Sequence, residues 1–144
     1  MKPEDQLLFQ GFKAQGSPMK YFKLNEFDSP DSPGSGSMMD IEFLKVLDKI
    51  REDCGFPFKI TSGYRTEAHN QALKDTGQEA VDDSAHTRGK ACDIAIYNGS
   101  QRMALVKTAL KYGINRCGIG KTFCHLDSDI TKPRMVMWLY SHDR

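Results

Sequence analysis

Apolar positions along the chain recur in two rhythms. Ile41, Leu44, Leu47 and Ile50 fall at helical spacing and predict a helix over 40–53, stopped by Gly55. Met103, Val106, Ala109 and Leu110 repeat that spacing and form the expected buried side of a second helix over 100–112. Asn98-Gly99 is read as the turn before it, Ser100 as its cap and Gly113 as its close. Thr66 can cap a shorter helix over 67–74. Strands are predicted over 56–60, over the buried run from Ile94 to Ile96, and over 136–140. Segments 116–119 and 123–127 read as paired strands around Gly120 and Lys121. Phe22, Leu24 and Phe27 are expected to dock on the core. Residues 28–36, rich in Ser, Pro, Asp and Gly, read as a loop within the domain. The polar, acidic stretch 75–83 reads as a mobile loop. Helices and antiparallel strands mix without a βαβ rhythm, which predicts an α+β fold: a small antiparallel sheet with flanking helices. Residues 1–20 are the expected lead-in, and 21–144 the domain.

Composition narrows the function classes. The chain has 144 residues and a formal net charge of +1, which leaves no electrostatic footprint for nucleic acid. Mean hydropathy is −0.55, and no apolar run approaches the roughly 20 residues of a membrane span. The segment Met1-Lys2-Pro3-Glu4-Asp5 has no hydrophobic signal core, so synthesis in the cytoplasm is the expectation. Four cysteines do not force a disulfide framework on a domain of this size. Cys54, Cys92 and Cys124 sit in apolar patterns as buried thiols, while a Cys117–Cys124 bridge across the hairpin stays open.

Chemistry concentrates in two stretches. Ser84-Ala85-His86-Thr87-Arg88-Gly89-Lys90-Ala91-Cys92-Asp93 places a histidine on a loop and an aspartate at the mouth of the apolar strand. Gly89 between them lets the loop turn back. A carboxylate opening a buried strand needs a partner: a metal ion, or a salt bridge to Arg88 or Lys90. In Phe123-Cys124-His125-Leu126-Asp127 the polar positions alternate as in a half-buried strand, so His125 and Asp127 share a face. Two histidines and a carboxylate are a common ligand set for catalytic zinc, which keeps one position open. His-Glu-x-x-His is absent, so the helical type of zinc protease is excluded.

The order Ser-x-His-x-x-Gly-x-Ala-x-Asp followed by Phe-x-His-x-Asp resembles the zinc D-alanyl-D-alanine carboxypeptidases. That family includes phage and bacterial L-alanyl-D-glutamate endopeptidases and shares its core with hedgehog domains. Upstream, Thr61-Ser62-Gly63-Tyr64-Arg65, with Asn70 after it, matches the family's Ser-Gly-Tyr-Arg motif. The resemblance spans about Phe22 to Tyr140. It implies one zinc per chain held by His86, Asp93 and His125, and hydrolysis of peptidoglycan stem peptides by a monomer. It also implies delivery to the cell wall or periplasm after release, or within a phage particle. The different reading is a non-catalytic zinc-containing binding or structural domain, also compatible with a phage particle.

Individual roles follow from the same resemblance. Arg65 is expected to hold an anionic group near the scissile carbonyl; on the residues alone it equally pairs with Asp75, Asp82 or Asp83. Ser84 is a turn residue, or, as its counterpart in the family's dipeptidases implies, helps hold a substrate carboxylate. Several family members place an acid or histidine two or three positions before the last zinc-binding histidine. Here Phe123 and Thr122 stand there, which leaves Asp127 as the candidate general base, or as support for a ligand. Asn70 caps a turn or holds the Ser-Gly-Tyr-Arg loop, Tyr64 packs, and His69 and His142 are expected to be exposed and inert.

Overall fold

The computed structural model describes residues 19–78 and 80–141. Most of the expected lead-in and His142 lie outside them. Met19 and Lys20 already belong to the fold: Met19 is buried, and the Lys20 N–H donates to Asp48 at 3.0 Å.

Among the described residues, three helices and five strands follow in order. They are α1 (Ile41–Cys54), β1 (Ile60–Ser62), α2 (Glu67–Asp75), β2 (Ala91–Ala95), α3 (Gly99–Lys111), β3 (Arg116–Ile119), β4 (Phe123–Asp127) and β5 (Val136–Leu139). Short 3-10 turns at Leu24–Phe27, Ser35–Met38 and Ala85–Arg88 complete the set. The strands form one sheet in the order β1-β2-β4-β3-β5. It is antiparallel except at its last pair, where β5 runs parallel to β3. The α+β class holds, and the parallel pair is the departure from the expected antiparallel sheet. The chain leaves β4 and crosses the end of the sheet through 128–135 before β5 begins.

α1 forms where expected. Asp40 caps it by accepting from the Phe43 N–H at 2.9 Å, and Gly55 closes it with φ +76°. Its buried side is Phe43, Leu44, Leu47 and Ile50. That side joins Phe22, Phe27, Ile94, Leu105 and Leu126 in one core. No helix among the described residues is long and apolar enough to cross a membrane.

Several local expectations are corrected. Asn98, not Ser100, caps α3, accepting from the Gln101 N–H at 2.8 Å. Its buried side is Leu105 and Ala109, whereas Met103 and Leu110 are 69% and 49% exposed. Met103, Leu105, Val106, Ala109 and Leu110 surround much of this helix, so spacing alone does not choose a face; packing against α1 does. The first strand starts only at Ile60, since Pro57 lacks the N–H a ladder needs, although Phe58 is still buried. All four cysteines are free, with Cys54 half-buried. The β3–β4 register sets Cys117 opposite Leu126 and Cys124 opposite Ile119, so the two thiols do not face each other.

The stretch 75–83 is tied at several points. Asn70 Nδ2 donates to the Val81 carbonyl at 2.8 Å, Lys74 pairs with Asp82, and Arg88 pairs with Asp83. His69 is half-buried in α2.

Leu126 is fully buried on the helix-facing side of β4, beside the functional face. Leu126→Ala is expected to cost about 2–5 kcal/mol, measured as a lower midpoint in urea unfolding.

Candidate metal centre and its cleft

One lateral row of the sheet carries the site. β2 pairs with β4 so that Asp93 lies directly opposite His125. Ser62 of β1 pairs with Asp93 on the outer side. Gly118 of β3 faces His125 from the other side, and Trp138 of β5 faces Gly118. Residues at one level across a sheet share a face, so Ser62, Asp93, His125, position 118 and Trp138 converge. Asp93 thus sits in the middle of its strand rather than at its mouth, because pairing with β4 starts at Ala91. β4 is buried at every position rather than on one face, since the loops covering the site close its second side.

Gly118 keeps the row open. A Cβ there would come within 2.7 Å of Trp138 Nε1 and 2.5 Å of Tyr140 Cε2. Without it, the Trp138 ring reaches across β3 to a centroid distance of 5.4 Å from His125.

His86 comes from the Ala85–Arg88 turn. Ser84 caps that turn through its Oγ, which accepts from the His86 N–H at 3.2 Å. Gly89 ends it with φ +69°, and a Cβ there would meet the Met38 carbonyl oxygen at 2.4 Å. Gly63 is just as constrained. It lies against Phe27, and its carbonyl receives His86 Nδ1 at 2.7 Å. The Ser-Gly-Tyr-Arg turn therefore orients a ligand through its backbone.

Three acceptor atoms meet at one point. His86 Nε2 and His125 Nδ1 are 3.2 Å apart. Asp93 Oδ1 is 3.3 Å from the first and 3.0 Å from the second. The outer nitrogens fix the tautomers. A carbonyl only accepts, so His86 Nδ1 carries its proton toward Gly63; His125 Nε2 meets Asp127 Oδ2 at 2.6 Å. With His125 singly protonated on Nε2, both inner nitrogens turn lone pairs toward the Asp93 oxygen, an arrangement relieved by a metal cation or by a proton on His125 Nδ1. Zinc bonds of about 2.0–2.1 Å place ligand atoms at tetrahedral corners about 3.3 Å apart, so the set fits zinc. No other group of three such side chains close enough to hold a metal occurs among the described residues.

Charge states agree with ligation at two of the three positions. Burial pushes His86 down to about 4, against the pull of Asp93. Burial alone would raise Asp93, but the charges and hydrogen bonds of His86 and His125 hold it well below the usual carboxylate range. His125 is different. Burial lowers it, yet hydrogen bonds to Asp127 and Asp93 win, and it is raised from 6.5. A proton on His125 is thus the competitor a metal must displace.

The remaining predicted residues group around this centre. Arg65 is 2% exposed, not on a solvated face. Its Nε donates to Ser62 Oγ at 3.1 Å and its Nη1 to Asn70 Oδ1 at 3.3 Å, while Nη2 lies 3.6 Å from Asp93 Oδ2. Asp93 thus turns one oxygen to the imidazoles and the other to Arg65. Asp75 accepts from Gln71, and Asp82 and Asp83 pair with Lys74 and Arg88. Asp127 Oδ1 accepts from Arg116 Nε at 2.7 Å and from the Asp129 N–H at 3.1 Å. Burial raises Asp127, but His125, the Asp129 N–H and Arg116 outweigh it and lower it.

A cleft of about 460 Å3 opens over the site, lined by Arg65, Ser84, His86, His125, Trp138 and Tyr140 among others. Arg116 and Trp138 are functional neighbours that sequence reading missed. Arg116 stands directly opposite Asp127, and its guanidinium lies 5.0 Å from the Trp138 ring. Only the strand register brings them to His125; the signal in the sequence is a charge at the start of one predicted strand and an aspartate at the end of its hairpin partner.

A buried His2Asp cluster beside a cleft, with each imidazole held from behind, is a group that could hold a metal ion such as zinc. The family model for peptidase M15 matches residues 20–127, and the chain belongs to that family of zinc-dependent peptidases. Comparison with curated proteins gives no match.

Zinc affinity is expected to fall with pH as His125 takes up its proton. Because that group is raised above 6.5, the loss should begin at a higher pH than for an ordinary histidine. Competition titration against a chromophoric chelator across pH 5–8 measures it, with His125→Ala removing the high-affinity site.

Proposed function

We propose that the protein is a zinc metallopeptidase that hydrolyses peptide bonds in peptidoglycan stem peptides. The observation that carries the reading is the convergence of His86 Nε2, His125 Nδ1 and Asp93 Oδ1 below a peptide-sized cleft, in a member of a peptidase family. When bound, zinc supplies a Lewis acid that polarises a carbonyl and acidifies water.

The chain's own groups hold and orient. His86, Asp93 and His125 would be the metal ligands. Arg65 fixes Asp93 through its second oxygen, and with Ser84 lines the side of the cleft set against the substrate's polar atoms. Asp127 keeps the His125 proton on Nε2. Since both its oxygens are engaged by His125, Arg116 and the Asp129 N–H, we assign it as a positioning residue acting through His125. Trp138 and Tyr140 form an aromatic wall that packs against substrate and limits water.

The second reading, a zinc-containing domain without turnover, is favoured by one observation. Thr122 and Phe123 offer no acid, and Asp127 is committed elsewhere. The same assay separates the two. Purified peptidoglycan treated with the zinc-loaded protein should yield new amino and carboxyl termini without new reducing sugar ends. Chelation should stop the release and zinc restore it. Full zinc occupancy without release from several stem types would move the assignment to the second reading.

Asp127→Asn should weaken zinc binding about 10–100-fold, the usual effect of losing a carboxylate behind a metal-binding histidine. A general base would behave otherwise, losing turnover with zinc affinity intact. Equilibrium zinc titration and peptide turnover on the same preparation distinguish these outcomes.

A further inference from the structure

The cleft has a third cation besides Arg65 and Arg116, and it is held in a different way. Lys132 lines the cleft and is half-buried. The two arginines are engaged by the protein. Arg65 bonds Ser62, Asn70 and Asp93; Arg116 bonds Asp127 and the Pro133 carbonyl and lies over Trp138. Among the described residues, no hydrogen bond or close ion pair holds the Lys132 ammonium, although its charge acts on the nearby Asp129 carboxylate, which is already engaged by Arg88 and Thr131.

Its backbone, by contrast, is fixed on both sides. Before it, the Asp129 carboxylate is buried and accepts from the Thr131 N–H at 3.0 Å, the Thr131 hydroxyl at 2.6 Å and Arg88 Nη1 at 2.6 Å. The Lys132 N–H donates to the Asp129 carbonyl at 3.3 Å. After it, the Pro133 carbonyl accepts from Arg116. Through the Asp129 N–H on Asp127 Oδ1, the whole turn is anchored to the carboxylate behind His125. A cation on a fixed stretch of backbone, at a cleft whose lining carboxylate Asp127 is already bound, is set to meet an anion from the ligand.

We propose that Lys132 is the carboxylate-recognition group of this cleft, fixing a short acidic peptide by an anionic group away from the bond to be cut. This subsite rests on the peptidase reading above and deepens it. It shifts anion recognition from Arg65, which the fold uses to orient Asp93, to the turn between β4 and β5. The carboxylate comes either from the peptide's C-terminus or from its glutamyl residue. Lys132 contributes through charge and position, and its stem offers apolar contact alongside Trp138 and Tyr140.

The experiment titrates the zinc-loaded protein with the stem tripeptide L-Ala-D-Glu-L-Lys in three forms. One is the free acid, one carries an amidated C-terminus, and one an amidated free glutamyl carboxyl. One of the two amides should bind about tenfold more weakly than the acid, and which one it is identifies the source of the carboxylate. In Lys132→Met that difference should vanish, with the acid brought to the level of the weaker amide; Lys132→Arg should retain it. Zinc content and thermal melting check that each variant is folded and loaded. The proposal is overturned if acid and both amides bind wild type alike, if no form binds, or if Lys132→Met weakens all three equally. Turnover separates this from the wider reading. A carboxylate preference that disappears with Lys132 in a protein that hydrolyses nothing keeps the subsite and removes the peptidase assignment. Hydrolysis with unchanged KM in Lys132→Met does the reverse.

Discussion

The pairing of Asp93 with His125 across β2 and β4 is the constraint on which the site depends. A shift of one residue in that ladder would put Asp93 and His125 on opposite faces of the sheet and turn a thiol, Cys92 or Cys124, toward the cleft. The opposite face prevents it. Cys92, Ile94, Cys124 and Leu126 are fully buried against the helices, and only the observed register places all four there. Hydrophobic burial on one side of the sheet thus sets ligand geometry on the other. Three acceptor atoms within hydrogen-bonding distance of one another also tie the centre to a cation, because burying them together without one is unfavourable.

Outward from that pair, the polar groups form successive supports. His125 is held by Asp127, Asp127 by Arg116 and the Asp129 N–H, and Asp129 by Thr131 and Arg88. Arg88 belongs to the turn that carries His86, so the chain of contacts links both histidines from behind. Asp127 and Arg116 are both buried, and removing one partner from such a pair typically costs on the order of 3–5 kcal/mol. Ligand orientation and local stability therefore rest on the same side chains. Two glycines complete the frame by absence: Gly63 lets a carbonyl reach His86, and Gly118 lets Trp138 reach His125.

The three side chains of the candidate metal centre were legible because each lies in a short local pattern. His86, Gly89 and Asp93 fall within one loop and strand, and His125 within an alternating strand, so residue type and spacing carry the signal. α1 was legible for a similar reason, with a helical stripe between a capping aspartate and a terminating glycine. The buried face of α3 was not, since apolar residues on several sides leave the choice to packing against α1.

By itself, then, the sequence determined the α+β class, the placement of most elements and the three side chains that converge as the candidate metal centre, all properties of periodicity and local motif. Tertiary structure alone decided which nitrogen of each histidine faces inward, that Arg65 braces Asp93, and that Asp127 stands behind His125. It also placed Arg116, Trp138 and Lys132 at one cleft, although they lie on β3, β5 and the turn between β4 and β5. Those relations depend on strand order and on the parallel β3–β5 pair, which join segments distant along the chain. Local spacing carries no information about such neighbours, because the register that unites them is set by the packing of the opposite face.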